Sequence, residues 1–78
     1  MYQIYTTKTC PWCVRAKQLL DQRGLASEEI DVSTDRELQE EMIQRSGRQS
    51  VPQIFAGSLH IGGYDDLVKS FEKADQAA

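Results

Sequence analysis

Both cysteines of the chain lie in one short segment, Thr9-Cys10-Pro11-Trp12-Cys13. With two residues between them, the two thiols can close into a disulfide or open into a dithiol. Pro11 has no N–H to leave unpaired and a φ near the helical value, which suits the first position of an α-helix. The segment therefore predicts a helix that begins at Pro11, with a reactive cysteine directly before it.

The predicted position of Cys10 favours its thiolate form. Its sulfur would face the unpaired backbone N–H groups of a helix N-terminus and the positive end of the helix dipole, and both stabilise a negative charge. Cys13 lies one turn further along, where it is more shielded but can attack a mixed disulfide formed on Cys10. We therefore predict that Cys10 is the nucleophile and Cys13 the resolving thiol.

Two other roles of a C-x-x-C pair fit this sequence less well. A structural zinc site needs about four Cys or His ligands, and the chain offers only Cys10, Cys13 and His60. A structural disulfide across two intervening residues closes too small a loop to restrain the unfolded chain much. Redox chemistry is the role that the motif favours, given the strand-helix-strand pattern around it.

Length and charge narrow the class of protein further. The 78 residues have room for one small domain, 1–78, and no stretch approaches the roughly 20 apolar residues of a membrane span. The first residues are patterned like a strand and not like a signal peptide, so we expect a cytoplasmic protein. A monomer is the default oligomeric state. The net charge of −3 argues against nucleic acid as a partner, because such binding relies on a basic surface.

Basic residues are nevertheless frequent in the first two thirds of the chain, and Lys8 lies directly before the cysteine segment. A basic rim at that point would select a small anionic thiol or disulfide. We expect all but Lys8 and one arginine to be solvated charges on helix faces. The residues considered are Lys8, Arg15, Lys17, Arg36, Arg45 and Arg48.

Hydrophobic periodicity predicts the element order β-α-β-α-β-β-α, which begins with a right-handed βαβ unit. The first helix carries an apolar stripe that includes Val14, and Thr34 opens a capping box before the second helix. Tyr5 is expected in the core and His60 at the surface, pointing away from its apolar neighbours. The predicted strands are 2–6, 29–32, 53–56 and 59–61, and the predicted helices are 11–23, one ending near 46, and one from 65 to a tail that frays from 75.

Four groups of residues, in this order, resemble the motifs of glutaredoxins: Lys8, Cys10-Pro11-Trp12-Cys13, Ser50-Val51-Pro52 and Gly62-Gly63-Tyr64-Asp65-Asp66. The resemblance covers essentially the whole chain and is strongest to the short bacterial dithiol glutaredoxins. It implies the thioredoxin fold, an α/β architecture in which a four-stranded mixed sheet is flanked by three helices. It also implies a glutathione-dependent oxidoreductase whose dithiol reduces protein disulfides and glutathione mixed disulfides.

The resemblance implies a glutathione site built from three pieces. Lys8 corresponds to the lysine that pairs with the glycine carboxylate of glutathione, helped by Gln39 on the second helix. Val51 corresponds to the residue whose backbone pairs with the cysteine of glutathione in β-strand fashion. Pro52 is then expected to be cis, which leaves the neighbouring amide free for an extended peptide.

The third implied piece is the start of the last helix. There the backbone at Tyr64 and the helix N-terminus receive the γ-glutamyl carboxylate, and the Asp65 carboxylate meets the γ-glutamyl amine. Gly63, with Gly62, lets the ligand come close to the chain. Trp12 stands between the two cysteines and is expected to be exposed and to touch the ligand.

Two positions depart from the family pattern. Ser50 stands where the family often has threonine, a mild change that keeps the hydroxyl. Tyr64 stands where cysteine, serine, threonine or alanine is frequent. Its phenol either narrows the γ-glutamyl pocket or adds a hydrogen bond there.

The resemblance also names the partners. Glutathione is the electron donor, disulfide or glutathionylated proteins are the substrates, glutathione reductase acts indirectly through glutathione, and no metal or prosthetic group is expected. An alternative is an iron-sulfur carrier, in which the Cys10 thiolates of two chains and two glutathiones hold one cluster. Relatives with that role resemble monothiol C-G-F-S types or lack the proline after the first cysteine, so Pro11 and Cys13 argue against it. Thioredoxin itself would have W-C-G-P-C and neither Lys8 nor a Gly-Gly-x-Asp site.

Overall fold

The structure, a computed structural model, describes residues 1–77. Three helices and four strands alternate in the predicted order, β-α-β-α-β-β-α. The elements are β1 (Tyr2–Thr6), α1 (Pro11–Gln22), β2 (Ser27–Asp31), α2 (Arg36–Ser46), β3 (Gln53–Ala56), β4 (Leu59–Gly62) and α3 (Tyr64–Ala77). None of the helices in this part of the chain combines the length and the hydrophobicity that crossing a membrane requires.

The four strands form one mixed sheet in the order β2-β1-β3-β4. β1 pairs in parallel with β2, as a βαβ unit requires, and antiparallel with β3. β3 and β4 form the predicted antiparallel hairpin. The predicted four-stranded mixed sheet is therefore confirmed.

Several predicted boundaries are wrong. Four element ends differ by one residue, since α1 ends at Gln22, β2 at Asp31 and β4 at Gly62, and α3 begins at Tyr64. β2 begins at Ser27, two residues early, because all five residues of β1 find a partner on it. The cap of α2 is Asp35 and not Thr34: the Asp35 side chain accepts a hydrogen bond of 3.1 Å from the backbone N–H of Leu38. α3 continues past Asp75, where fraying was predicted. Ala78, the rest of that predicted tail, lies outside the described residues.

An ion pair accounts for the longer α3. A guanidinium nitrogen of Arg23, at the end of α1, lies 2.8 Å from an Asp75 carboxylate oxygen. The same guanidinium lies over the ring of Phe71, 4.3 Å from its centroid. The last turns of α3 are therefore attached to α1 by a contact between residues 52 positions apart, which local sequence patterns do not reveal.

Successive residues of the central strands point to opposite faces of the sheet, which creates two cores. On one face α1 and α3 pack, and the buried residues there are Ile4, Ala16, Leu20, Ile54, Leu67 and Phe71. On the other face α2 packs, and the buried residues there are Tyr5, Val32, Met42 and Phe55. The expectation that Tyr5 belongs to the core is confirmed.

Val14 was predicted to lie in the core, but it is 49% exposed. The buried face of α1 is formed instead by Cys13, Ala16 and Leu20, which follow one another at the three- and four-residue spacing of a helix. Cys13 thus occupies the core position that the apolar pattern assigned to its neighbour Val14. His60 also differs in part from its prediction, because it is half-buried with its ring against Phe55.

The buried Tyr5 hydroxyl connects the sheet to α2. It donates a hydrogen bond of 2.9 Å to the Glu41 carboxylate and accepts one of 2.9 Å from the Arg45 guanidinium. Burial is the main reason that the pKa of Tyr5 is raised. The Arg45 guanidinium also lies 4.0 Å from the ring centroid of Phe55, so one side chain covers this edge of the second core.

Replacing Tyr5 by phenylalanine should lower the free energy of unfolding by about 1 to 2 kcal/mol, because the variant removes a hydroxyl with two partners. Urea denaturation of the two proteins measures this. Tyr2→Phe is the matched control, since the Tyr2 hydroxyl has no hydrogen-bond partner among residues 1–75, whose side chains the structure describes. Equal losses in the two variants would contradict the role given to the Tyr5 hydroxyl.

Candidate active site

The two cysteines lie at the N-terminus of α1, as predicted, and form a disulfide. Cys10 is the N-cap residue, with extended backbone angles, and its sulfur accepts a hydrogen bond of 3.1 Å from the backbone N–H of Cys13. Cys10 is partly exposed, whereas Cys13 is 1% exposed. An attacking group can therefore reach the first sulfur more easily than the second.

A groove of about 260 Å³ lies next to the cysteine helix. It is bounded by the start of α1, the loop before β3 and the start of α3. Six of the predicted glutathione contacts line it: Trp12, Val51, Pro52, Gly63, Tyr64 and Asp65. Residues from three separate stretches of the sequence thus meet around one concave surface.

Three predicted contacts do not line this groove: Cys10, Gln39 and Lys8. Gln39 lines a second cavity of about 290 Å³, together with Val51. Its amide nitrogen donates a hydrogen bond of 2.7 Å to the backbone carbonyl of Val32, so one of its two N–H groups is already used. Lys8 is exposed in the loop after β1, and its backbone N–H donates to the Ser33 hydroxyl at 2.9 Å.

Val51 and Pro52 form the loop that leads into β3. The peptide bond between them is cis, as the resemblance implies. Pro52 is buried, whereas Val51 is half-buried and lines both cavities. The Val51 backbone therefore lies between the groove at α3 and the cavity at α2.

The start of α3 holds a charged pair that sequence reasoning missed. The Asp66 carboxylate accepts a hydrogen bond of 3.0 Å from the backbone N–H of Gly63 and lies 3.3 Å from the Arg48 guanidinium. The Gly63 bond is the main reason that the pKa of Asp66 is lowered, with the Arg48 bond adding to it. The available signal was an acidic residue three positions after a helix cap, as in a capping box.

Four groove residues were not predicted as site residues at all. They come from the loop before β3, the first position of β3 and the first turn of α3. They are Arg48, Ser50, Gln53 and Asp66. Arg48 is one of two arginines at this groove, since the guanidinium of Arg15 lies over Trp12.

An aromatic pair forms the wall of the groove near the cysteines. The Trp12 indole is 49% exposed, as predicted, and its centroid lies 5.5 Å from that of the Tyr64 ring. The Arg15 guanidinium lies 4.8 Å from the indole centroid. Tyr64 therefore lines the groove while its ring packs on the residue between the two cysteines. In the described part of the chain, no cluster of three or more His, Cys, Asp or Glu side chains could hold a metal ion.

A mixed sheet with a C-x-x-C pair at the N-terminus of its first helix, and a cis-proline loop beside a groove, defines a thiol-disulfide oxidoreductase of the thioredoxin fold. The sequence model of the glutaredoxin family matches residues 3–61. Glutaredoxin 3 of Escherichia coli K12 is 52% identical over 65 residues, which span 83% of this chain and 78% of that protein. The glutaredoxin of Pseudomonas aeruginosa is 48% identical over 64 residues, spanning 82% of this chain and 76% of that protein.

Solved structures agree with the sequence relatives. The solution structure of a glutaredoxin from Brucella melitensis is 47% identical in sequence and matches with a TM-score of 0.80. The match covers 97% of this chain and 83% of the Brucella chain. The crystal structure of a buckwheat glutaredoxin-glutathione complex is 28% identical in sequence and matches with a TM-score of 0.83. The match covers 94% of this chain and 69% of the buckwheat chain. This chain belongs to the glutaredoxin family. The predicted thioredoxin fold and the predicted class, a dithiol oxidoreductase, are confirmed.

Gly62 allows β4 to turn closely over the Asp66 side chain. Its φ is +122°, and a Cβ added there would lie 2.8 Å from the Asp66 Cγ. Gly62→Ala should therefore cost about 3 kcal/mol of unfolding free energy, from backbone strain and the clash together, and should displace Asp66.

The matched control is Gly57→Ala, which also has a positive φ, +63°, but open space around the added Cβ. Strain alone should cost that variant about 1 kcal/mol. Urea denaturation of both variants compares the two costs. A Gly62→Ala protein as stable as Gly57→Ala would show that the contact with Asp66 adds nothing.

Proposed function

We propose that this chain is a cytoplasmic enzyme that uses glutathione to reduce protein disulfides and glutathione mixed disulfides, with residues 1–78 forming one glutaredoxin domain. The observation that carries the proposal is a cysteine pair of unequal access at the start of α1. The glutathione complex of the buckwheat relative supports glutathione as the donor. A C-x-x-C pair that cycles between dithiol and disulfide suits a reducing compartment.

A glutathione mixed disulfide needs one activated thiolate. The Cys10 thiolate attacks the sulfur of the glutathione half, and the protein thiolate leaves and takes up a proton. Cys10 then carries glutathione as a new mixed disulfide. A second glutathione thiolate attacks the glutathione sulfur of this adduct, which releases oxidised glutathione and restores the Cys10 thiolate.

A protein disulfide follows a different course after the first attack. The Cys10 thiolate opens it and becomes joined to the substrate protein, while the other substrate sulfur leaves as a thiol. Cys13, held one helical turn away with the two Cα atoms 5.2 Å apart, attacks the Cys10 sulfur and releases the reduced substrate. Two glutathione molecules then reduce the Cys10-Cys13 disulfide and leave as oxidised glutathione.

The groove supplies suitable contacts for glutathione along its length. The Val51 backbone pairs with the cysteine of glutathione, while the N-terminus of α3 at Gly63 and Tyr64 receives the γ-glutamyl carboxylate. The exposed Asp65 carboxylate receives the γ-glutamyl amine. Trp12 covers the bound thiol, and Pro52 shapes the loop below it.

Lys8 and Gln39 serve the glycine carboxylate at the other end of the ligand. Gln39 does so through the second N–H of its amide nitrogen, because the first is bonded to the Val32 carbonyl. Reduced glutathione carries a net negative charge, so the Lys8 ammonium and the helix N-terminus both favour its binding on a protein whose net charge is −3.

Serine substitutions separate the roles of the two cysteines. Cys10→Ser should abolish both activities, since it removes the attacking thiolate. Cys13→Ser should keep most of the reduction of a small glutathione mixed disulfide but lower the reduction of a protein disulfide at least about tenfold, because the intramolecular release step is lost. Coupled assays with glutathione, glutathione reductase and NADPH measure both rates.

The Cys13→Ser protein should also accumulate a covalent complex with the protein substrate, visible on non-reducing gels. Equal loss of the two activities in folded Cys13→Ser protein would contradict the assignment. Activity of either kind in Cys10→Ser would contradict it as well.

Reversing the charge of Lys8 should raise the KM for glutathione about fivefold at low ionic strength, because Lys8→Glu replaces attraction of the glycine carboxylate by repulsion. Added salt should shrink the effect, since an exposed charge pair is screened. Lys73→Glu makes the same charge change on α3, nine residues or roughly 13 Å from the start of that helix. Identical KM values for the two variants would remove Lys8 from the site.

A further inference from the structure

Gln53 is a buried polar residue at the floor of the groove, with 1% of its surface exposed. Its amide nitrogen donates to the backbone carbonyl of Ser50 at 3.0 Å and to the Ser50 hydroxyl at 3.3 Å. Its amide oxygen lies 2.8 Å from the Nε2 atom of His60. The amide therefore joins β4 to the loop that carries Val51.

The partners of this amide determine its orientation. The Ser50 carbonyl can only accept a hydrogen bond, so the nitrogen of the Gln53 amide must face it. The amide oxygen then faces His60, whose Nε2 must carry the hydrogen of that bond. His60 can donate in this way both as the neutral ring and as the imidazolium, so the arrangement does not depend on the protonation of His60.

His60 is itself held in place. Its ring lies against Phe55, with the ring centroids 4.9 Å apart, and it is half-buried. Burial is the main reason that the pKa of His60 is lowered, with the positive charge of Arg48 adding to it. The neutral ring with a hydrogen on Nε2 is therefore the form that holds Gln53 at neutral pH.

The bonds from Gln53 to Ser50 have a consequence for the next amide along the chain. The peptide bond between Ser50 and Val51 is trans, since the cis bond in this loop is the one that follows. In a planar trans peptide the C=O and the N–H point in opposite directions. Because the Ser50 carbonyl points to the buried Gln53 amide, the Val51 N–H must point away from it.

We propose that Gln53, oriented by His60, is a positioning residue that sets the Val51 backbone for pairing with the extended thiol peptide bound in the groove. This inference rests on the proposed function and adds two residues to it. Neither side chain touches the reacting sulfur atoms in this scheme. Their effect reaches the ligand through the Ser50-Val51 peptide alone.

Substitution of Gln53 by methionine tests the proposal, because methionine has a similar length and cannot donate a hydrogen bond. With the mixed disulfide of glutathione and mercaptoethanol as the probe, the KM of Gln53→Met should rise about five- to tenfold, the effect of one lost hydrogen bond. The kcat should stay within about twofold. His60→Phe keeps an aromatic ring on Phe55 but leaves the Gln53 oxygen without its donor, so a smaller rise of about threefold is expected.

Two further readouts distinguish positioning from a general loss of structure. The rate at which iodoacetamide alkylates Cys10 should be unchanged in both variants, since the helix N-terminus is untouched. The amide signal of Val51 in ¹H–¹⁵N spectra should shift in both. Ile4→Val, a destabilising change in the core on the opposite face of the sheet, is the control for stability and should leave the KM unchanged.

Unchanged KM values in folded Gln53→Met and His60→Phe would overturn the inference. It would also be overturned if Ile4→Val raised the KM as much as they do, or if Cys10 alkylation slowed in parallel with the rise in KM. His60→Phe keeps the test decisive if Gln53→Met does not fold. A wild-type protein unable to reduce the mixed disulfide with glutathione would instead refute the proposed function, whatever the variants do.

Discussion

The antiparallel pairing of β1 with β3 in the middle of the sheet is the interaction on which the rest of the structure depends. Ile4 pairs with Ile54, and Tyr5 pairs with Gln53. Because side chains alternate along both strands, this one pairing supplies residues to the cores on both faces. Because the strands are antiparallel, the end of β1 also lies next to the start of β3.

The active site forms where the end of β1 lies next to the start of β3. The chain leaves β1 toward Cys10 and enters β3 from Pro52, so the reactive cysteine and the cis-proline loop belong to the same end of the sheet. Gly62 at the end of β4 pairs with Ile54 near the start of β3, which brings the N-terminus of α3 to this end as well. The groove is thus a consequence of strand order and direction, with its walls supplied by the connecting loops.

The charged and polar side chains at and near the groove are of two kinds, those bonded within the protein and those exposed to solvent. The Gln53 amide and the Asp66 carboxylate are hydrogen-bonded to backbone groups of the two loops beside the groove. The ion pair of Asp66 with Arg48 is exposed, and pairs of this kind contribute about 1 kcal/mol or less to stability. Asp65 at the groove and Lys8 in the loop after β1 are exposed, which is consistent with the contacts to an anionic peptide that the proposed function gives them.

The sequence by itself determined the element order, the cysteine chemistry and most residues of the groove, because periodicity, the Cys-Pro start of α1 and the family motifs are local signals. Only the tertiary structure decided that Val14 is exposed, that Arg23 holds the last turns of α3, and that Gln53 connects His60 to the loop of Val51. Each of these depends on which surfaces meet when distant segments pack. The sequence specifies which kinds of group a residue can bond to, whereas tertiary packing determines which partner it meets.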